Sequence, residues 1–506
     1  MKKTKVKKIG FFFALTMLIG SIVGIGIFFK NAGIRNATQG NGISWLLTWI
    51  VAGIISLCAA ISFSEISTIK NTKISGIGNW ATRVMNKKFG YFITFNYTFL
   101  YGPILIFMLS FFTAEAAHLL IFQISGKLIP YAYLPLTSLI LFSIVFFSLI
   151  INIKISGHIQ KITTIIKFIP LIVVIILGIS MHNTNNAGGT NAFVNKAFKW
   201  SDLKNMIIAL PSALFAYDAF LSVGSTANNI ENSEKKVPLI VLLGMIVVIT
   251  TYCLIAIASI LHDSSIVQQI FNNIFKNKNF QKAFNIVFWL LLFISAFGVL
   301  NGFTTAYAHD INNVLVTNIS FGMNKIKNKL NLKQLVVIYF ALIYLLVWII
   351  GSSILWITKS DKLLDGISNL PTFIFFNFYG LIILFYLINR KNINTKKMNK
   401  IAYYIVSILA VIGCLSVNAI YLTNLTISII NKNNSGWGIF YSGSYNVAIY
   451  IELVIYLVYV ALIIILPYLN LWLVKKIEKR DLYKEFEFEN KEIDVTKLVF
   501  TNYKLK

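Results

Sequence analysis

Apolar stretches of membrane-spanning length alternate with short polar loops along most of the chain. A helix needs about 20 largely apolar residues to cross the hydrocarbon core of a bilayer. The pattern therefore predicts an all-α integral membrane protein with twelve transmembrane segments. They cover residues 9–29, 43–69, 91–121, 132–153, 162–180, 206–227, 239–261, 284–307, 335–357, 370–388, 401–430 and 447–473.

Lysine and arginine residues indicate which loops face the cytoplasm, because short cytoplasmic loops carry an excess of both. Most of them fall on one side of the predicted bundle, in residues 2–8, 83–88, 154–161, 235–236, 325–333 and 390–400. Lysines at positions 196, 199, 276 and 278 lie on the other side, so the assignment follows the majority. We expect both termini in the cytoplasm, with residues 1–8 as a short N-terminus and residues 475–506 as a tail.

Composition supports a membrane protein and removes other classes. Of the 506 residues, 57% are hydrophobic and 12% are charged, whereas soluble domains carry about 25% charged residues. The net charge of +27 is explained by basic cytoplasmic loops, so we expect contact with membrane lipid and no nucleic acid. The three cysteines lie singly in apolar segments, which favours neither a disulfide framework nor a metal site. Loops rich in lysine and asparagine are typical of AT-rich bacterial genomes, so we expect a bacterial cell membrane.

The first predicted segment contains Gly20, Gly24 and Gly26 within seven residues. Each glycine costs up to about 1 kcal/mol of helix propensity. A cluster of them at mid-membrane is tolerated where the freed backbone lines a cavity or packs against protein. One interpretation is an interrupted helix whose free N–H groups and positive helix end bind a carboxylate. The other is a small-residue face, formed by Gly20 and Gly24, that packs against a second helix.

The sixth segment favours the interruption, because it carries Asp218 in an apolar run. An ionised aspartate in such a span costs at least about 2.5 kcal/mol, so Asp218 should face a cavity or a partner. That partner could be a cationic substrate or Lys167. Interrupted helices at corresponding positions of two halves indicate a transport site between inverted repeats. We predict repeats at residues 9–181 and 206–388, with residues 401–473 outside them.

Several motifs in these segments resemble those of one transporter family. The strings are GSIVGIGIF at residues 20–28, AISFSEIS at 60–67 with SG at 75–76 and FG at 89–90, FAYDAF at 215–220 with its continuation to 238, and GVLNG at 298–302. In order and spacing they resemble the amino acid–polyamine–organocation superfamily of bacterial amino-acid permeases. The motif match extends from the first to the eighth segment, and the last four segments match in topology only.

The resemblance implies a leucine-transporter-type fold that carries amino acids by alternating access, as a proton symporter or an exchanger, with no cofactor and no enzymatic activity. Backbone amides in the first interruption would bind the substrate carboxylate. Carbonyls in the second would bind its amino group, with Tyr217 and Phe220 as gating aromatics. The implied substrate-binding residues all lie at the two interruptions: Ile22, Val23, Gly24, Ile25, Gly26, Phe215, Ala216, Tyr217, Asp218 and Phe220. Ile25 and Ala219 replace smaller residues that are usual in the family.

Lys167 lies near the start of the fifth segment. The resemblance implies a coupling role, since some proton-coupled members carry a lysine here whose ammonium takes the place of a sodium ion. A buried amine of this kind can release a proton. The alternative is a lysine whose side chain extends to the cytoplasmic surface.

Other charged residues in the segments favour structural roles. Glu65 lies at the cytoplasmic end of the second segment, where Lys70 or Lys73 could pair with it. Glu115 and His118 are one helical turn apart on one face of the third segment. We expect both near the external end, where water reaches them.

Two other classes of function compete with amino-acid transport. A membrane enzyme would need a His/Asp or paired-carboxylate cluster at an interface, and the sequence has no obvious cluster of this kind. A receptor-like permease homologue without transport is disfavoured by the intact glycines of the first segment. A carrier of polyamines or other organic cations remains an alternative within transport. The sequence contains no GxxxxGK[ST] motif for nucleotide binding.

Overall fold

The structure of the protein is a computed structural model. It describes residues 10–24, 26–69, 76–181, 191–194, 199–218, 220–221, 230, 232–264, 267–326, 329–432 and 447–485. Its regular elements over these residues are helices. The first half contains α1 Phe11–Ile22, α2 Gly26–Ala37, α3 Gly42–Ile66, α4 Ile77–Val84, α5 Lys87–Asn96, α6 Gly102–Ser125, α7 Leu134–Ile151, α8 Ile153–Ser180 and α9 Asn191–Val194. A π-helical turn, Tyr97–Tyr101, joins α5 to α6, and a 3-10 turn, Tyr131–Tyr133, precedes α7.

The described residues of the second half form ten further helices. They are α10 Trp200–Tyr217, α11 Ser233–Leu261, α12 Val267–Ile274, α13 Lys278–Thr317, α14 Met323–Ile326, α15 Leu332–Thr358, α16 Lys362–Asn389, α17 Lys400–Ile430, α18 Ile449–Ile477 and α19 Leu482–Glu485.

The helices confirm a multi-pass membrane protein. Among the described residues, ten helical stretches are long and apolar enough to cross a membrane. The stretches Ala14–Phe28 and Lys30–Ala37, which cover most of α1 and α2, form an eleventh candidate together, bent by 54°. The predicted sixth segment corresponds to α10, which ends at Tyr217, and most of residues 219–229 lie outside the described part. The count of twelve and the inverted repeat therefore stay predictions.

Large apolar side chains on the outer faces of several helices point away from the protein. Examples are Ile140 in α7, Ile165 in α8 and Leu342 in α15, which are 60%, 72% and 63% exposed. A soluble protein rarely exposes contiguous apolar surface of this extent, whereas lipid covers it without cost. These faces are consistent with insertion in a bilayer.

Several predicted segment ends are wrong, for one physical reason. The segment predicted at residues 284–307 is the 40-residue helix α13, Lys278–Thr317, and the one predicted at 370–388 begins at Lys362 as α16. The first segment continues past residue 29, because α2 runs to Ala37. An apolar window reports the part of a helix that lies in lipid, whereas the hydrogen-bonded helix continues into polar sequence.

Two buried polar contacts fix the helices around the site. Asn31 in α2 accepts hydrogen bonds from Nε1 of Trp45 and Trp49 in α3, at 2.8 and 3.2 Å. Its amide donates to Ser259 in α11 at 2.9 Å. At the far end of α3, Glu65 binds Arg390 through two hydrogen bonds of 2.7 and 2.9 Å. Glu65 thus ties α3 to the end of α16, and the lysines proposed as its partners lie outside the described residues.

Candidate substrate site at two interrupted helices

The first interruption separates α1 from α2 near the middle of their combined length. α1 ends at Ile22, Val23 is extended with φ −71° and ψ 108°, and α2 begins at Gly26. Ile25 lies outside the described residues. A helix that ends inside a protein leaves its last carbonyls without partners in the helix, and the next helix starts with free N–H groups. The interruption therefore exposes a negative end of α1 and a positive end of α2.

Side chains from two other helices satisfy the freed carbonyls of α1. The Lys167 ammonium, in α8, donates to the carbonyl oxygens of Gly20 and Val23, the second at 3.0 Å. The Tyr252 hydroxyl, in α11, lies 3.0 Å from the carbonyl oxygen of Ile22. A cation at the C-terminus of a helix is also favoured by the helix dipole. Lys167 is 1% exposed, so its ammonium is held at the interruption and does not reach the surface.

The glycines at the interruption allow neighbouring helices to approach closely. A Cβ atom on Gly24 would lie 2.5 Å from Cγ2 of Val299 in α13. One on Gly26 would lie 2.9 Å from both Cα and Cβ of Ala216 in α10. The two interpretations of the glycine cluster are thus both realised, because the helix is interrupted and its glycines also form close contacts.

The described part of α10 ends at Tyr217, where the sequence predicts the second interruption, and presents Asp218. Tyr217 is the last residue of α10, and Asp218 is extended with φ −60° and ψ 172°. Its Oδ2 accepts hydrogen bonds from Tyr101 in the π-helical turn, at 2.7 Å, and from Thr372 in α16, at 3.2 Å. Since the Lys167 ammonium binds backbone carbonyls, the proposed ion pair between Lys167 and Asp218 is not formed within the described part of the chain.

The Tyr252 hydroxyl connects the two interruptions. Besides the carbonyl oxygen of Ile22 at 3.0 Å, it lies 3.3 Å from that of Ala216 at the end of α10. One hydroxyl from α11 is therefore close enough to donate to the backbone of either broken helix. Sequence reasoning missed Tyr252, since a tyrosine in an apolar helix gives no local signal of this contact.

A cavity lies where the two interruptions meet. It has a volume of about 50 Å³, several times the roughly 10–15 Å³ that a single water needs by the same measure. Six of the predicted binding residues line it: Ile22, Gly24, Gly26, Phe215, Ala216 and Asp218. The remaining lining residues are Ser21, Leu105, Leu109, Phe112, Val299 and Phe303. The cavity thus has a carboxylate and the N-terminus of α2 in an otherwise mostly apolar wall.

Three predicted site residues are buried beside the cavity and are not among its described lining. Val23 is fully buried at the interruption. The Tyr217 hydroxyl donates to the carbonyl oxygen of Trp49 at 3.1 Å. The Phe220 ring packs edge-on against Tyr379, with centroids 5.8 Å apart. The gating roles of Tyr217 and Phe220 stay predictions, while Phe112, Phe215 and Phe303 are the aromatic rings in the described lining of the cavity.

A buried ion pair that sequence reasoning missed lies beside Phe112 and Phe215. The Lys30 ammonium, in α2, is 2.6 Å from Oδ1 of Asp365 in α16 and donates to Ser368 at 3.0 Å. It stands 4.6 Å from the ring centroid of Phe215 and 6.0 Å from that of Phe112. A charged residue in an apolar segment is a signal that it needs a partner, but Lys30 and Asp365 lie just outside the predicted segments 9–29 and 370–388, so the apolar pattern carried no such signal for them.

Glu115 and His118 were expected near water, and this expectation is wrong. Both side chains are buried, with 2% exposure each. The His118 ring forms a hydrogen bond of 2.9 Å with Thr137 in α7. Helix α7 packs along α6, and this packing covers the side of α6 that carries His118.

Comparison with known proteins agrees with this arrangement. The family described as Amino acid permease matches residues 9–451. The serine/threonine exchanger SteT of Bacillus subtilis is 29% identical over 50% of this chain and 54% of its own length. The human b(0,+)-type amino acid transporter 1 is 23% identical over 50% of each chain, and the human cystine/glutamate transporter is 22% identical over 50% of this chain and 49% of its own. The chain spans about half the length of these three relatives.

Proposed function

The chain belongs to the amino acid permease family, and we propose that it carries amino acids across a bacterial cell membrane by alternating access, as a proton symporter or an exchanger. Both termini would lie in the cytoplasm. The observation that carries the proposal is the cavity between the start of α2 and the end of α10, which presents a positive helix end and a carboxylate to the same space. The relatives named above carry amino-acid exchange or transport in their names, which supports the proposal.

The polarity of the cavity suits a zwitterion. The N-terminus of α2 at Gly26 offers N–H groups and positive potential to a carboxylate. Asp218 stands at the C-terminus of α10. Its carboxylate and the negative end of the helix dipole both favour an ammonium group there. Since Lys167 already neutralises the end of α1, the ends of α2 and α10 are the ones left for the substrate's carboxylate and ammonium. An amino acid would therefore lie between Gly26 and Asp218.

Uptake of a labelled amino-acid mixture into proteoliposomes tests this function. It should be measured with and without an inward proton gradient, and with unlabelled amino acids inside. Accumulation driven by the gradient would support a symporter, and uptake that requires internal amino acid would support an exchanger. Absence of any amino-acid flux from folded protein would contradict the proposal and direct the search to polyamines, other organic cations or a non-transporting role.

Asp218→Asn should raise the KM for amino-acid uptake by about tenfold. A hydrogen bond to a charged acceptor contributes about 1.5–3 kcal/mol, against about 0.5–1.5 kcal/mol for a neutral one, and the difference corresponds to roughly this factor. Initial uptake rates over a range of substrate concentrations give the KM. Asp202→Asn, at the other end of the same helix, keeps its capping oxygen and should leave the KM unchanged. An unaltered KM in Asp218→Asn would remove the ammonium-binding role.

We further propose that the Lys30–Asp365 ion pair closes the cavity on the α2 side, which is external if the N-terminus is cytoplasmic. Its ammonium lies directly behind Phe112 and Phe215. It also joins α2, which carries the first interruption, to α16. Opening this side requires the two helices to separate, so the ion pair must break in each transport cycle.

Asp365→Asn should therefore favour the open state. Removing one partner of a buried ion pair costs about 3–5 kcal/mol. When about 1.4 kcal/mol of this cost destabilises the closed state relative to the open state, the ratio of open to closed protein rises tenfold. We expect Phe112→Cys, in a protein without its native cysteines, to react about tenfold faster with a membrane-impermeant thiol reagent once Asp365→Asn is added.

The chain supplies a matched control for this experiment. Arg35, also in α2, pairs with Asp263 at 2.8 Å, and their side chains are 32% and 42% exposed. Exposed ion pairs contribute only about 0–1 kcal/mol, so Asp263→Asn should leave the labelling rate unchanged. Equal labelling rates with and without Asp365→Asn would contradict closure by the Lys30–Asp365 pair.

A further inference from the structure

The side chain of the substrate would face the apolar part of the cavity lining, here called the wall. If the carboxylate binds at the α2 end and the ammonium at Asp218, as the proposed function has it, the rest of the substrate faces the remaining lining. Those residues come from α6, α10 and α13: Leu105, Leu109, Phe112, Phe215, Val299 and Phe303. Ser21 also lines the cavity, and its hydroxyl donates to the carbonyl oxygen of Leu18 at 2.8 Å within α1. From this wall we infer that the transported substrates are neutral amino acids with a compact apolar side chain. This inference rests on the proposed function.

A cationic side chain finds no second acidic residue in the described lining of the cavity. Asp218 is the only carboxylate among those lining residues, and it is committed to the ammonium that every amino acid carries. A positive charge already stands behind the wall, since the Lys30 ammonium is 4.6 Å from the ring centroid of Phe215. Burying a further cation in apolar surroundings is strongly unfavourable. Lysine and arginine are therefore poor substrates.

An acidic side chain is excluded for the complementary reason. The Lys30 ammonium contacts the rings of Phe112 and Phe215, but it is 2.6 Å from Asp365 and 3.0 Å from Ser368. The Lys167 ammonium is bound to the carbonyl oxygens of Gly20 and Val23, and neither lysine is among the described lining residues. A carboxylate in the wall would thus be buried without a partner. Glutamate and aspartate are poor substrates as well.

Packing of α13 on the interruption favours short side chains. Val299 lines the cavity and is packed so tightly that a Cβ on Gly24 would come within 2.5 Å of its Cγ2. A large side chain would require α13 to move away from α1 and α2. Valine and leucine therefore suit the wall better than phenylalanine or tryptophan.

Competition in proteoliposomes tests the inference. Labelled valine uptake should be inhibited by unlabelled valine or leucine at concentrations about tenfold lower than by threonine, because threonine has nearly the shape of valine and adds an unpaired hydroxyl. Lysine, glutamate and tryptophan should inhibit more weakly still. Inhibition by threonine, lysine or glutamate equal to that by valine would overturn the apolar assignment while leaving amino-acid transport standing. No uptake of any amino acid would overturn the proposed function, and the inference with it.

A change in the wall should move the preference in a defined direction. Leu109→Ala enlarges the side-chain end of the cavity, so phenylalanine should gain about tenfold over valine as a competitor. Leu119 lies on the same helix outside the described cavity lining. Leu119→Ala should therefore keep the wild-type order of competing amino acids. Leu105→Ala tests the same wall independently if Leu109→Ala does not fold. A wild-type order in folded Leu109→Ala and Leu105→Ala would overturn the placement of the substrate side chain.

Discussion

Gly26→Ala should reduce amino-acid uptake by about 100-fold while the protein still folds. The added Cβ would lie 2.9 Å from Cα and Cβ of Ala216, atoms that cannot turn aside as the end of a flexible side chain can. The start of α2 and the end of α10 must therefore move apart. These are the two helix ends between which the carboxylate and ammonium of the substrate are proposed to bind, and a misplacement of about 1 Å costs about 100-fold.

A second glycine in α2 separates this local effect from a change in the helix itself. A Cβ on Gly33 would have Ser212 Oγ as its nearest neighbour, at 4.0 Å. Gly33→Ala adds the same methyl group to the same helix and should transport at the wild-type rate. Uptake of a labelled neutral amino acid, normalised to the amount of reconstituted protein, gives both rates. Wild-type uptake by Gly26→Ala would contradict the close contact between α2 and α10 as part of the site.

The spans were largely predictable because a bilayer imposes one dominant requirement on sequence. Backbone groups in lipid must be hydrogen-bonded internally, so long apolar stretches become helices. The same rule says nothing about where a helix ends in polar surroundings. It therefore gave residues 284–307 for a helix that extends from Lys278 to Thr317. The apolar pattern also could not distinguish a continuous helix from one broken at Gly24. The glycine content of the segment was the signal needed for that distinction.

The site was predictable only where its signal is local. Glycines at 20, 24 and 26 and the aspartate at 218 violate the apolar pattern, and Gly24, Gly26 and Asp218 line the cavity. Their partners could not be identified, because they come from distant parts of the chain. Tyr101 is 117 residues from Asp218, and Lys30 is 335 residues from Asp365. A charge in an apolar helix indicates that the residue needs a partner, but the packing of the whole bundle determines which residue that partner is.

Lys167 combines a local signal with a contact that only the fold supplies. Its ammonium binds the carbonyl oxygens of Gly20 and Val23, so it stabilises the negative end of α1 beside the cavity. A side chain that extended to the surface would not make these contacts. We propose that this amine carries the coupled proton, because a change in its charge would alter the force that holds the two carbonyls and hence the interruption.

Lys167→Gln should reduce proton-driven amino-acid accumulation by about 100-fold. Glutamine is shorter and uncharged, so at least one of the two buried carbonyls loses its donor, and each such loss costs about 1–3 kcal/mol. A cost of about 2.7 kcal/mol corresponds to a factor of 100 in rate or affinity. Accumulation in proteoliposomes under an inward proton gradient measures the effect. Lys161→Gln, in the exposed cytoplasmic part of the same helix by our orientation, should behave as the wild type.

A second assay on the same variant separates coupling from support of the fold. Exchange of internal for external amino acid needs the site and both conformations, but it needs no net proton movement. If Lys167 carries the proton, Lys167→Gln should lose accumulation yet keep a larger share of its exchange activity. Equal loss of both activities in folded protein would make Lys167 a structural cap of α1, and intact accumulation would remove both roles. The interruption predicts the first pattern, since the ammonium touches the backbone of α1 and no substrate-binding side chain in the described part of the site.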